Sequence, residues 1–251
     1  MSSNRVIDPR AAERRRSILI TIAAVMALVV IAAVVIIWAV SRGDGSSSTN
    51  SSGGGTETPT VTTDNGAIRL TGAPAGTNPP VVITVTEDFQ CPACKTFEQT
   101  MGPALAAYHD NPDVAVDYVT INMLDQASST RYSTRAANAA MCVAEKTGKD
   151  GDFGKWLEYH NLLFANQPAE GGAGLPDSEL IKLAEDAGVD DIKSCVDNMD
   201  YDLWITENSQ KAMSEEGFQG TPSVRINGEV VQLQDAASLQ AQVNAAVEAA
   251  K

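Results

Sequence analysis

Histidine is nearly absent: His109 and His160 are the only two in 251 residues, and four cysteines, Cys91, Cys94, Cys142 and Cys195, complete the stock of soft metal ligands. A zinc knuckle needs a second ligand pair spaced like the first, and neither the distant Cys142 and Cys195 nor two isolated histidines provide it. No metal and no other cofactor is therefore expected. Basic residues are also few, 18 Lys and Arg against 32 Asp and Glu. Six arginines against Asp8 and Glu13 give the first 42 residues a charge of +4, which leaves −18 of the formal −14 total on the remainder. Such a surface repels nucleic acid and anionic headgroups, so no nucleic-acid partner is expected and the acidity reads as solubility. No acid pair and no Ser-His-Asp arrangement stands out.

What is present early in the chain is apolar. Ile18 to Val40 is a run of 23 residues without a charge, about 35 Å as a helix against a hydrocarbon core of about 30 Å. Arg5, Arg10, Arg14, Arg15 and Arg16 precede it and only Arg42 closely follows, a bias that keeps the N-terminus cytoplasmic. The expectation is a cytoplasmic tail over 1–17, a single-pass cell-membrane anchor over 18–40 and a catalytic domain outside. A cleaved signal peptide is the competing reading, but the run exceeds the usual h-region and no convincing small-residue cleavage site follows. A Gly/Ser/Thr linker over 41–64 has too few apolar residues to pack and should act as a flexible tether, with a reach of roughly 25 Å.

Beyond the linker, Cys91-Pro92-Ala93-Cys94 carries the most chemistry. Val81 to Thr86 reads as a fully buried strand, while Cys94, Phe97, Met101, Leu105 and Tyr108 recur at helical spacing. The pair therefore sits on a strand-to-helix turn, where unpaired N–H groups and the helix dipole favour a thiolate, and Pro92 fits the first helical position. Outside the cytoplasm disulfides persist, and of the three pairings open to four cysteines the close spacing favours Cys91–Cys94 with Cys142–Cys195. Cys142 and Cys195 both fall on inward helical faces, where they either bridge helices or stay as buried thiols; export favours the bridge. His160 lies on an apolar face and reads as a packed core residue. Strands at 67–70 and 114–121, helices through the next hundred residues, an Asn227-Gly228 hairpin and a last helix capped by Asp235 complete an α/β order with a large helical insertion over about 128–200.

Asp88-Phe89-Gln90-Cys91-Pro92-Ala93-Cys94, the inserted helices and Gly220-Thr221-Pro222 before the Asn227-Gly228 hairpin together resemble the DsbA-like thiol:disulfide oxidoreductases of the thioredoxin fold, in a membrane-anchored, actinobacterial form. The resemblance covers residues 65–251. It implies Cys91 as nucleophile, Cys94 as resolving thiol, and a cis-proline loop, Thr221-Pro222, lying against them and offering its backbone to an extended substrate. It also implies reduced exported proteins as substrates and a membrane reoxidase of the DsbB or VKOR type. The plainer reading of Thr221-Pro222 is an ordinary trans turn. Two departures stand out: Ala93 replaces the histidine many members carry between the cysteines, and Val85 occupies the position, six before the nucleophile, of a commonly buried acid. Glu87 or Asp88 is the substitute proton relay, although two acids beside a turn are more often solvated surface. An oxidase is the leading expectation; a reductase or isomerase, for instance in cytochrome maturation, and a non-catalytic peptide-binding module are the alternatives.

Overall fold

The computed structural model describes residues 54–251; the expected tail, the anchor over 18–40 and the first part of the linker lie outside them. Among the described residues no helix is long and apolar enough to cross a membrane. Five strands form one sheet in the order β1-β3-β2-β4-β5. β1 is Ile68–Thr71, β2 Val81–Glu87, β3 Val114–Thr120, β4 Ser223–Ile226 and β5 Glu229–Val230. β2 and β3 run parallel and every other pairing is antiparallel.

The parallel pair requires a crossover, which α1, Pro92–Ala106, supplies. Its buried stripe is Cys94, Phe97, Met101 and Leu105, the i, i+3, i+7, i+11 face that packs on the sheet. α1 ends three residues before the expected His109, because Tyr108 and His109 close turns onto Leu105 and Ala106 instead of extending the helix. β3 is buried along its whole length, including Asp117. That carboxylate is matched by Arg69, its cross-strand neighbour in β1, whose Nε and Nη2 reach its two oxygens at 2.6 and 2.8 Å.

Four helices follow β3: α2, Tyr132–Thr147; α3, Gly154–Ala165; α4, Asp177–Asp186; and α5, Lys193–Asn198. α6, Asp202–Met213, leads back to the sheet. The final helix α7, Ala236–Ala249, opens with a reciprocal cap in which Asp235 and Ser238 satisfy each other's backbone N–H groups. Helices and sheet share a main apolar core that runs from Ile68 in β1 to Val243 in α7, and a smaller cluster joins Val119 and Ile121 to Ala212 of α6. The whole is a mixed α/β, thioredoxin-like fold with a helical insertion.

The stretch read as a free linker is shorter at its C-terminal end than expected. Gly55 and Glu57 donate backbone N–H groups to the Met199 and Asp200 carbonyls at 2.9 Å, and the Glu145 carboxylate accepts from the N–H groups of Thr60 and Val61. Pro59 is buried. Paired backbone groups, together with Pro59 and with Val61 packed on the core, hold this segment to the domain.

Candidate active site

β2 ends at Glu87, and a tight turn closed by the Cys91 N–H donating to the Asp88 carbonyl at 2.9 Å delivers the chain to α1. Cys91 is the N-cap, in an extended conformation, and Pro92 starts the helix. The cap is made by sulfur: Cys91 Sγ accepts from the Cys94 N–H at 3.4 Å. Cys91 and Cys94 are both thiols. Cys91 keeps a 6 % opening to solvent, whereas Cys94 has none.

Antiparallel pairing of Ser223 with Thr86 carries the preceding loop to the same place. The Thr221–Pro222 peptide is cis, and the Thr221 carbonyl accepts from Cys91 Sγ at 3.4 Å. The structure thus brings Cys91 and Cys94 together with Thr221 and Pro222, four residues from two separate segments. Beside this loop runs a groove of about 340 Å³ lined by Phe97, Gly220, Thr221, Pro222 and Val230. Cys142 and Cys195 are elsewhere, joined as a disulfide between α2 and α5 with Cα atoms 6.0 Å apart.

The two thiols are driven apart electrostatically. Cys91 is lowered to about 6, first because the Cys94 thiol donates to it, with the Thr221 side chain and the N–H groups of Cys94 and Ala93 adding to that against the cost of burial. Cys94 moves strongly upward, because its proton is engaged with Cys91, because it is buried, and because the charge of Glu87 opposes a second anion. One sulfur is set up as a thiolate and the other as its proton-bearing partner.

Glu87 and Asp88 are both fully buried, contrary to their reading as solvated surface. Asp88 belongs to the turn: its carboxylate accepts from Gln90 N–H (2.8 Å), Leu124 N–H (2.9 Å) and Ser133 Oγ (2.7 Å). Burial still pushes it up to about 6. Glu87 lies two residues beyond Val85 on the same face of β2, so the buried acid has moved one pleat along the strand. Its Oε1 pairs with His160 Nε2 from α3, and its Oε2 is buried without a hydrogen-bond partner among the described residues. His160 is a core residue, but an ionic one. Burial alone lowers its pKa, yet the charges of Glu87 and Glu98 carry it up to about 9. Phe89, Tyr118, Trp156 and Phe164 surround the ring, with centroids 5.7, 5.1, 5.1 and 5.0 Å away.

Two further residues have no signal in the sequence. Glu98 follows Cys94 by one helical turn, and burial with the neighbouring Glu87 charge pushes it up to about 8. Gln167, in the loop after α3, donates Nε2 to the carbonyls of Phe89 (3.0 Å) and Cys91 (2.9 Å), clamping the cysteine turn from the insertion.

The arrangement matches known proteins. The family model described as thioredoxin fits residues 70–245. The structure of DsbA from Mycobacterium tuberculosis (reduced) is 32% identical, with a TM-score of 0.62 over 74% of this chain and 97% of that one. The reduced form of the disulfide bond oxidoreductase DsbG from the same organism is 34% identical, with a TM-score of 0.63 over 73% and 91%. Among curated proteins, the serine/threonine-protein kinase PknE of M. tuberculosis is 32% identical over 165 residues, 62% of this chain, which spans only 28% of the kinase.

Proposed function

The chain belongs to the thioredoxin family and is a DsbA-like thiol:disulfide oxidoreductase; from that premise we propose that it works as an oxidase, giving its Cys91–Cys94 disulfide to reduced proteins outside the cytoplasm. The observation that carries the direction is the Cys91 sulfur, held at the N-terminus of α1 by hydrogen bonds and lowered to about 6. Stabilising the thiolate stabilises the reduced protein, which raises the reduction potential and makes the disulfide easier to give away.

In the first step a substrate thiolate attacks Cys91 Sγ, the Cys91–Cys94 bond breaks, and Cys94 leaves with the electron pair. Its high proton affinity draws a proton at once. A second substrate thiolate then attacks the substrate sulfur of the mixed disulfide, releasing Cys91 as the favoured anion. Two electrons pass to the pair and the substrate gains one disulfide. Glu87, with a buried free oxygen and a charge felt by Cys94, is the better placed of the two acids to exchange the Cys94 proton; both Asp88 oxygens are already engaged by Gln90, Leu124 and Ser133. Thr221 would offer its backbone to an extended substrate along the groove.

We place the catalytic domain outside the cell, tethered by residues 18–40, on the strength of the apolar run and the arginine bias. A quinone-linked membrane reoxidase of the DsbB or VKOR type would restore the disulfide, and a shared membrane would raise its effective concentration. Ala93, which contributes no side-chain donor between the cysteines, is the feature that favours the less oxidising alternative, a reductase or isomerase. Equilibration with glutathione at several ratios decides between them. A potential nearer about −120 mV than −270 mV is expected, and a value near −270 mV would overturn the oxidase.

A further inference from the structure

One ligand atom from each of Glu87, Glu98 and His160 lies within 4.8 Å of the other two. These atoms come from β2, α1 and α3, so the cluster is assembled by the tertiary fold and not by a local turn. Glu87 Oε2 and Glu98 Oε1 are both buried and neither finds a hydrogen-bond partner among the described residues. Without an ion, the protons on His160 and between the two acids offset the burial of this cluster, and a divalent cation would displace them. The aromatic rings around His160 supply no donor for either oxygen.

We propose that Glu87, Glu98 and His160 bind a divalent first-row cation, with zinc the closest match to the donor set. Two carboxylates and one neutral imidazole balance the charge of the ion, which suits a buried site. A nitrogen ligand disfavours calcium and magnesium, which prefer all-oxygen shells. Bonds of about 2.0–2.2 Å place tetrahedral ligands roughly 3–4 Å apart, so modest side-chain movement closes the cluster on the ion.

The surroundings fit a ligand role for His160. Its Nδ1 lies 3.3 Å from Asn161 Oδ1, and donation there fixes the tautomer that leaves Nε2 for the metal. Room exists on the α1 side as well. A Cβ at position 102 would approach Glu98 Oε2 to 3.2 Å, so Gly102 leaves that carboxylate space to turn. Glu98, Gly102 and Asn161 line a cavity of about 440 Å³ between α1 and α3, which provides an entry path and a fourth, open coordination position. Cation binding engages the same Glu87 oxygen proposed to exchange the Cys94 proton, so the metal would slow the first step, in which Cys94 leaves and takes up a proton; the binding itself does not depend on that role.

The test uses the full chain in its oxidised form, in which Cys91 and Cys94 are joined and present no thiols. Zinc alone is titrated by calorimetry and Co²⁺ is followed by its absorption spectrum, each also in the presence of tenfold excess Ca²⁺. One equivalent is expected, undisturbed by calcium, with affinity lowered at least tenfold in Glu98→Gln and in His160→Gln, and about 10–100-fold in Asn161→Ala, a change outside the ligand set. Glu98 and Asn161 border the cavity, so their variants report even where His160→Gln fails to fold. Absence of stoichiometric binding, displacement by calcium, or affinity unchanged in Glu98→Gln and Asn161→Ala would overturn the site.

Discussion

Cys91 and Cys94 lie at the junction of β2 and α1, while Cys142 and Cys195 tie α2 to α5 across 53 residues of sequence. Burial does not single out the exchanging pair, since Cys91 is 6 % exposed and Cys142 3 %, while Cys195, expected to face inward, is only half-buried. The difference is in what each sulfur meets. Cys91 receives hydrogen bonds from the Cys94 thiol and from N–H groups left free at a helix start. Cys142 sits well inside α2, where neighbouring N–H groups are committed to the helix, and the polar group that approaches it is the Asn138 amide at 3.8 Å. A cysteine pair is made exchangeable by stabilising its reduced, anionic state, and a pair without that stabilisation serves as a staple.

The sharpest way to break this contrast is to remove one sulfur from each pair. Cys91→Ser should abolish oxidation of a reduced, unfolded substrate, and Cys94→Ser, offered a disulfide-bonded substrate that its Cys91 thiolate can attack, should hold that substrate as a mixed disulfide while one substrate thiolate leaves. Cys142→Ser should keep full exchange chemistry while losing about 4 kcal/mol of stability, the chain-entropy value for a closed loop of this length. Turnover and denaturant midpoints measured on the same three variants separate the two roles. Loss of exchange in Cys142→Ser at temperatures where it remains folded would contradict the division.

The second test is pH. With Cys91 lowered to about 6, alkylation of the reduced protein should be near its plateau at pH 8 and fall roughly 100-fold by pH 4, following the thiolate fraction. Cys94, shifted the opposite way, should stay unmodified throughout. Stability follows the same sign. A depressed folded pKa favours the reduced protein fully above the unfolded thiol value of about 8.5, and the gain is lost as pH falls through about 6. A rate that climbs through pH 8–9 would show an ordinary thiol.

Local chemistry made the redox turn legible. Six consecutive β-branched residues in β2, Pro92 at the helix start and Asn227-Gly228 each act over a few residues, and the elements they predict are the elements observed. The acid network was not legible for the corresponding reason. Glu87 and His160 are 73 residues apart, and neither an apolar helical face nor an acid beside a turn announces that the two meet. Searching for the buried acid at position 85 also missed it, although the strand period of two places 87 on the same face. The anchor's structure lies outside the described residues, so its case remains compositional.

The smallest expected effect concerns Gln167, which separates positioning from chemistry within the exchanging pair. Its amide holds the carbonyls of Phe89 and Cys91 but touches neither sulfur. Gln167→Ala removes two hydrogen bonds to partly buried carbonyls and should cost about 1–2 kcal/mol of stability. Because the groups that stabilise the Cys91 anion stay in place, its alkylation midpoint should remain near pH 6. Gln167→Glu keeps the size of the side chain but turns an acceptor toward two acceptors, so it should destabilise more than alanine does. Thermal unfolding and the alkylation profile read the two quantities independently. A midpoint displaced upward in Gln167→Ala would mean that the insertion tunes the thiolate as well as holding the turn, and the contrast between the pairs would then extend beyond the helix start.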